Sequence, residues 1–166
     1  VNDVHEEMEL EPLTDYSKFK ADCEKILKKY TDKDFCGITI RPATVCGFSK
    51  RLRLDVVLNI FSYQAYFNKD ITILGGNQVR PLLHIKDMLN AYEFFITKNF
   101  TGIFNVGFEN VKISDIAKEV KNIIPCKLTT LKSNDPRSYR MNSDKLLNIG
   151  FKPKYNFKDA IKDLKY

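Results

Sequence analysis

Tyr16 and Lys20 stand four residues apart in the run Tyr16-Ser17-Lys18-Phe19-Lys20. On a helix that spacing puts both side chains on one face, one turn apart. A phenol, with a pKa of about 10, is a poor base at neutral pH. An ammonium group beside it favours the phenolate and makes proton transfer with a hydroxyl group feasible. The same lysine can donate hydrogen bonds to the hydroxyls of a ligand. Such a pair occurs by chance in many helices. Taken alone it favours the plainer reading, a core-facing Tyr16 with a solvated Lys20.

The helix that carries the pair is expected from Thr14 to about Tyr30. Tyr16, Phe19, Cys23, Ile26, Leu27 and Tyr30 follow three-and-four spacing, with Thr14 or Asp15 as cap. Phe35 to Ile40 reads as a buried strand ending at Arg41-Pro42, because proline does not continue a central strand. An apolar-periodic segment follows from Leu54 to Phe67. Ile71 to Leu74 is a short strand closed by the turn Gly75-Gly76-Asn77, and Leu82 to Ile85 is extended. Asp87 is expected to cap a helix of about eleven residues. Phe104-Asn105-Val106 forms a strand with Gly107 at a tight backbone approach. A helix from Ile113 to Ile124 stops at Pro125, and a strand runs from Lys127 to Leu131. Two short helices, Ser143 to Asn148 and Phe157 to Leu164, finish the chain. The first dozen residues have no period and read as a loop. Alternating helices and strands with short connections make the class α/β.

The 166 residues, 43% hydrophobic and 29% charged, suit one globular domain with a core. The net charge of +6 is spread, with Lys25, Lys28 and Lys29 on a solvated helix face. No basic stripe with interleaved aromatics is present, so nucleic acid is not expected as a partner. Nor is a membrane, since no apolar run approaches the roughly 20 residues a span requires. Cys23, Cys36, Cys46 and Cys126 form no CxxC pair and have no histidine at ligand spacing, which points to reduced thiols, no metal and a cytoplasmic location. His84, between apolar residues, is expected to be packed and hydrogen-bonded rather than catalytic.

Further motifs follow the Tyr16–Lys20 pair in fixed order. Arg41-Pro42-Ala43-Thr44-Val45-Cys46-Gly47 comes after the first strand. Gly75-Gly76-Asn77-Gln78-Val79-Arg80-Pro81-Leu82-Leu83-His84-Ile85-Lys86-Asp87 and then Phe104-Asn105-Val106-Gly107 come later. The set resembles the extended short-chain dehydrogenase/reductase family, the NAD-dependent sugar-nucleotide epimerases and dehydratases. Members of that family read "PLTDYSKYK", "RPATVCGYSPRMRLD" and "GGSQxRPxxHIxDM" at these places. The likeness runs from about Leu10 to the C-terminus.

The resemblance implies the C-terminal part of a doubly wound, Rossmann-like parallel sheet with a small mixed α/β substrate-binding region. Residues 1–50 would be a remnant of the Rossmann core and residues 51–166 mostly the substrate region, with short returns to the sheet. Tyr16 would be the general base or acid, and Lys20 would tune it and bind the nicotinamide ribose. Pro42 and the backbone through Val45 would lie against the nicotinamide. Thr44, where many relatives carry asparagine, and Asn59 would face the substrate, with Arg80 and Arg137 on its diphosphate. A guanidinium fork suits such bidentate contact. The cofactor implied is NAD rather than NADP, the partner a nucleotide-diphosphate sugar, and the intact enzyme a homodimer built on the Tyr16–Lys20 helix.

One departure is large. None of the seven glycines makes the family's cofactor-binding turn, and neither the catalytic serine or threonine before the tyrosine nor the "VYG" sequence is found. The chain is therefore expected to be a fragment lacking the first five or so strands, inactive alone, with an unpaired sheet edge. For the intact protein the implied reaction is oxidation of a sugar hydroxyl to a ketone and re-reduction, hence epimerisation. A 4,6-dehydratase and a non-catalytic nucleotide-sugar-binding module are the alternatives.

Overall fold

The computed structural model describes residues 3–135 and 138–165. Its elements are, in order, β1 (Asp3–Val4), α1 (Asp15–Tyr30), β2 (Ile38–Pro42), β3 (Thr44–Cys46), α2 (Val57–Tyr63) running into a π-helical turn (Gln64–Asn68), β4 (Asp70–Leu74), β5 (Val79–His84), α3 (Ile85–Ile96), β6 (Gly102–Val106), β7 (Glu109–Lys112), α4 (Ile113–Ile123), β8 (Lys127–Leu131), β9 (Arg140–Met141), α5 (Asp144–Asn148) and α6 (Phe157–Asp163). The fold is mixed α/β. Among the described residues β1–β9, β2–β6 and β4–β8 are parallel pairs, and β5 lies between parallel β3 and antiparallel β7. No described helix is long and apolar enough to cross a membrane.

Strand β5 joins two cores. Successive strand residues face opposite sides, so Leu82 packs with Cys46, Leu58, Phe61, Ile71, Ile116, Val120 and Ile161. Its neighbour Leu83 packs with Met88, Ala91, Phe95, Phe104, Val106, Leu146 and Phe151 on the other side. Two residues before Leu82 and Cys46, on the same face, stand Arg80 and Thr44. Beyond the edge of the first core, that face becomes polar.

Three expectations change. Strand β2 continues through Pro42, which is in register with Val106. Among the described residues β2 has only β6 beside it, so the missing N–H of Pro42 falls at a strand end on an open edge. Helix α3 is capped by His84, whose Nδ1 accepts the N–H of Lys86 at 3.0 Å, and not by Asp87. Asp87 is wholly buried in the first turn and accepts from the N–H groups of Lys154 and Tyr155 and from Asn90 Nδ2. The N-terminal segment is not all loop, because β1 pairs with β9, and Glu6, buried, accepts the N–H of Asn105 at 2.7 Å.

Helix α1 begins in a capping box between Thr14 and Ser17. Its apolar stripe lies in solvent, with Tyr16, Phe19, Ile26 and Tyr30 more than half exposed and Ala21 alone buried. An ion pair ties α1 to the sheet. Arg41 of β2 donates from Nε and Nη2 to the two carboxylate oxygens of Glu24 at 2.9 and 2.6 Å.

Candidate functional site

A cleft of about 1060 Å³ opens where the polar face of β3 and β5 meets the loop before α2, strand β4 and the segment after β8. Its shape follows from chain-local causes. Gly47, at φ +108°, turns the chain out of β3 in a conformation that L side chains rarely adopt. The π-helical turn ends at Lys69 in the left-handed region, which swings the chain into β4.

The cleft brings together five of the expected residues. Pro42, Thr44, Val45, Asn59 and Arg80 all line it, from three separate segments of chain. Arg80 is largely buried and donates from Nη2 to Asp135 at 3.2 Å and from Nη1 to the Val79 carbonyl at 3.2 Å. Asp135 also lines the cleft, so a cation and an anion face the same space. Arg137, the second expected arginine, lies outside the described residues.

Asn59 is 3% exposed, and both ends of its amide are engaged by backbone. Oδ1 accepts the Gly47 N–H at 3.1 Å, and Nδ2 donates to the Arg53 carbonyl at 2.9 Å. These bonds make it part of the wall of the cleft.

Tyr16 and Lys20 do share one face of α1, as their spacing requires. The Lys20 ammonium sits 5.7 Å from the centre of the Tyr16 ring. They stand outside the cleft lining, with Tyr16 73% exposed.

The structure also adds residues. Arg51, Arg53, Gln64, Thr72 and Ser133 line the cleft. Arg53 pairs with Asp55 through two bonds, of 3.0 and 2.6 Å. In the sequence Arg51 and Arg53 are two more cations in a basic chain, and only the loop's course into the cleft marks them. Cys46 is buried, and burial pushes its thiol up to about 12, so it is inert at neutral pH.

His84 is packed, as expected. Its ring stacks on Tyr155 with centres 4.8 Å apart, and it is 3% exposed. Because Nδ1 accepts a hydrogen bond, the ring proton belongs on Nε2. Nε2 approaches Asp163 Oδ2 at 3.5 Å without a hydrogen bond. Burial holds the imidazole below its usual pKa. The nearby Asp163 opposes that effect and Lys86 reinforces it.

Residues 2–107 match the NAD dependent epimerase/dehydratase family. The chain belongs to this family. Among curated relatives, it is 27% identical over 179 residues to a trifunctional UDP-glucose 4,6-dehydratase/UDP-4-keto-6-deoxy-D-glucose 3,5-epimerase/UDP-4-keto-L-rhamnose-reductase of Arabidopsis thaliana, covering 95% of this chain and 25% of that protein. It is 29% identical over 112 residues to a UDP-glucose 4-epimerase of Halalkalibacterium halodurans, covering 61% of this chain and 34% of the relative. Among solved structures, the dTDP-glucose 4,6-dehydratase of Bacillus anthracis in complex with NAD superposes with a TM-score of 0.84 at 21% identity, over 99% of this chain and 55% of that one. That likeness supports a Rossmann-like fold. The chain spans about a quarter to a third of the length of the curated relatives and about half of the solved chain.

Proposed function

We propose that the protein is an NAD-dependent epimerase acting on a nucleotide-diphosphate sugar, and that this chain contributes its substrate side. The observation that carries the proposal is the cleft. It gathers Pro42, Thr44, Val45 and Arg80 around one space, and Tyr16 and Lys20 share one exposed face of α1.

The residues present fit the nicotinamide–ribose end of NAD. Pro42 and Val45 border the cleft, and the Tyr16–Lys20 face is open to a ligand. The glycine-rich turn that would hold the rest of the cofactor is not in this sequence. When bound, NAD supplies a reversible hydride acceptor. With the cofactor bound, Tyr16 would take the proton of the sugar hydroxyl as hydride leaves the carbon and would return one to the same oxygen when hydride comes back, which inverts that carbon if it returns to the opposite face. Lys20 stabilises the phenolate by its charge and hydrogen-bonds the ribose. The Thr44 hydroxyl meets the sugar, and Arg80 with Arg137 holds the diphosphate. The exposed apolar stripe of α1 supports a homodimer formed through that helix.

A second reaction, 4,6-dehydration, is favoured by the match to the Arabidopsis relative over nearly all of this chain. A non-catalytic nucleotide-sugar-binding role is favoured by the position of Tyr16 outside the cleft lining.

Calorimetric titration of the full-length protein with a nucleoside diphosphate hexose tests the cleft. Arg80→Ala is expected to weaken binding about tenfold to a hundredfold, the equivalent of about 1.5–3 kcal/mol for a charge-assisted hydrogen bond. An unchanged dissociation constant in a folded variant overturns the assignment.

A further inference from the structure

The loop between β3 and α2 enters the cleft carrying Arg51 and Arg53. A single side chain fixes its two ends. Asn59, in the first turn of α2, accepts from Gly47 at the loop's start and donates to the Arg53 carbonyl near its end. No side chain caps α2, because Val56 occupies the cap position. The clamp is specific to an amide. A carboxylate could accept from Gly47 but could not donate to a carbonyl, and an aliphatic side chain could do neither. With both polar ends committed and only 3% of its surface exposed, Asn59 has nothing left to offer a ligand directly.

What the clamp holds in place is Arg53. Arg53 lines the cleft, and the Asp55 carboxylate occupies its guanidinium fork. Both side chains are about two-thirds exposed. An exposed ion pair of this kind is weak, so an anionic ligand oxygen can take the place of Asp55 at little cost. Arg51 lines the same stretch and makes no ion pair among the described residues, which adds to the local positive field.

We propose that Asn59 is a positioning residue: by fixing the Arg53 carbonyl it holds the Arg53 guanidinium where it grips an anionic group of the bound nucleotide sugar. The inference rests on the nucleotide-sugar assignment of the cleft. The gripped anion is either a phosphate of the diphosphate or a carboxylate on the sugar, and both present a pair of oxygens that matches the fork.

A double-mutant cycle on the full-length protein tests this. Wild type, Asn59→Ala, Arg53→Ala and the double variant are titrated with a nucleoside diphosphate, its hexose ester and its uronate ester. Arg53→Ala is expected to weaken binding by about tenfold or more. The loss falls on all three ligands if the anion is phosphate, and on the uronate alone if it is the sugar carboxylate. Asn59→Ala weakens the same ligands, yet costs less than about twofold further once Arg53 is gone. Equal effects of Asn59→Ala in both backgrounds would mean a merely structural role and overturn the proposal, as would unchanged affinity in Arg53→Ala. Either of these leaves the nucleotide-sugar assignment standing, whereas a wild-type protein that binds none of the ligands overturns both. If Asn59→Ala does not fold, Asn59→Asp, which keeps the bond to Gly47 and loses the one to Arg53, carries the cycle with the same expected outcomes.

Discussion

Glu24→Gln isolates what holds the Tyr16–Lys20 helix against the sheet. Helix α1 buries Ala21 and, in part, Leu27, so apolar burial contributes about 2 kcal/mol or less to its docking. The Arg41–Glu24 pair has side chains 17% and 19% exposed and two hydrogen bonds of 2.9 and 2.6 Å. Exposed pairs contribute about 0–1 kcal/mol, while breaking a fully buried one costs about 3–5 kcal/mol. A pair this well enclosed but still partly wet falls between, at about 2–3 kcal/mol. Glutamine keeps the shape and one acceptor but removes the charge, so most of that value is lost. At about 1.4 kcal/mol per tenfold, amide exchange across residues 15–30 should accelerate about 30- to 150-fold. Exchange across α4, which packs in the first core, should not change. Hydrogen exchange read by mass spectrometry on the two peptides checks this. If the α1 peptide changes less than about threefold, the ion pair is not what docks the helix.

Two stability predictions concern the C-terminal segment. Asp87→Ala strands the N–H groups of Lys154 and Tyr155, and should lower unfolding free energy by about 3–5 kcal/mol in urea titrations; a loss below about 1 kcal/mol contradicts the assignment. His84 titrates lower in the folded chain than its ordinary 6.5, so the unfolded chain takes up the proton first as pH falls. Its contribution is therefore complete above about pH 6.5 and is lost as pH drops through the lowered folded value. Glu109, raised by burial, acts in the opposite sense, gaining stability toward acid. Urea midpoints between pH 7.5 and 5.5 should fall in wild type and flatten in His84→Gln, and equal slopes in the two proteins would count against the argument.

Local signals make α1, α4 and β8 legible in the amino-acid sequence. The cap at Thr14, the three-and-four spacing and the stop at Pro125 act within a few residues of chain. Strands β1, β3 and β7 are not legible there, because short stretches such as Glu109–Lys112 are strands only through partners far away, in this case β5. His84 and Asp87 are three residues apart, and either could cap a helix. The role falls to His84 because Asp87 is drawn inward to the backbone of residues 154–155. Of the candidate site, Thr44 and Arg80 follow from motif position. The Arg80–Asp135 pair, separated by 55 residues, and the clamp of Asn59 on the Arg53 loop depend on the folded path of the chain.

The most direct test of the account is turnover by the full-length protein with Tyr16→Phe, using a nucleoside diphosphate hexose and NAD. On the proposed assignment, loss of the phenolic oxygen removes the proton acceptor and leaves intact the Arg80 cleft, which Tyr16 does not line. Turnover should fall by about two orders of magnitude or more, while sugar-nucleotide affinity by calorimetry stays within about twofold. Turnover within about twofold of wild type would contradict the assignment of Tyr16 as the catalytic base.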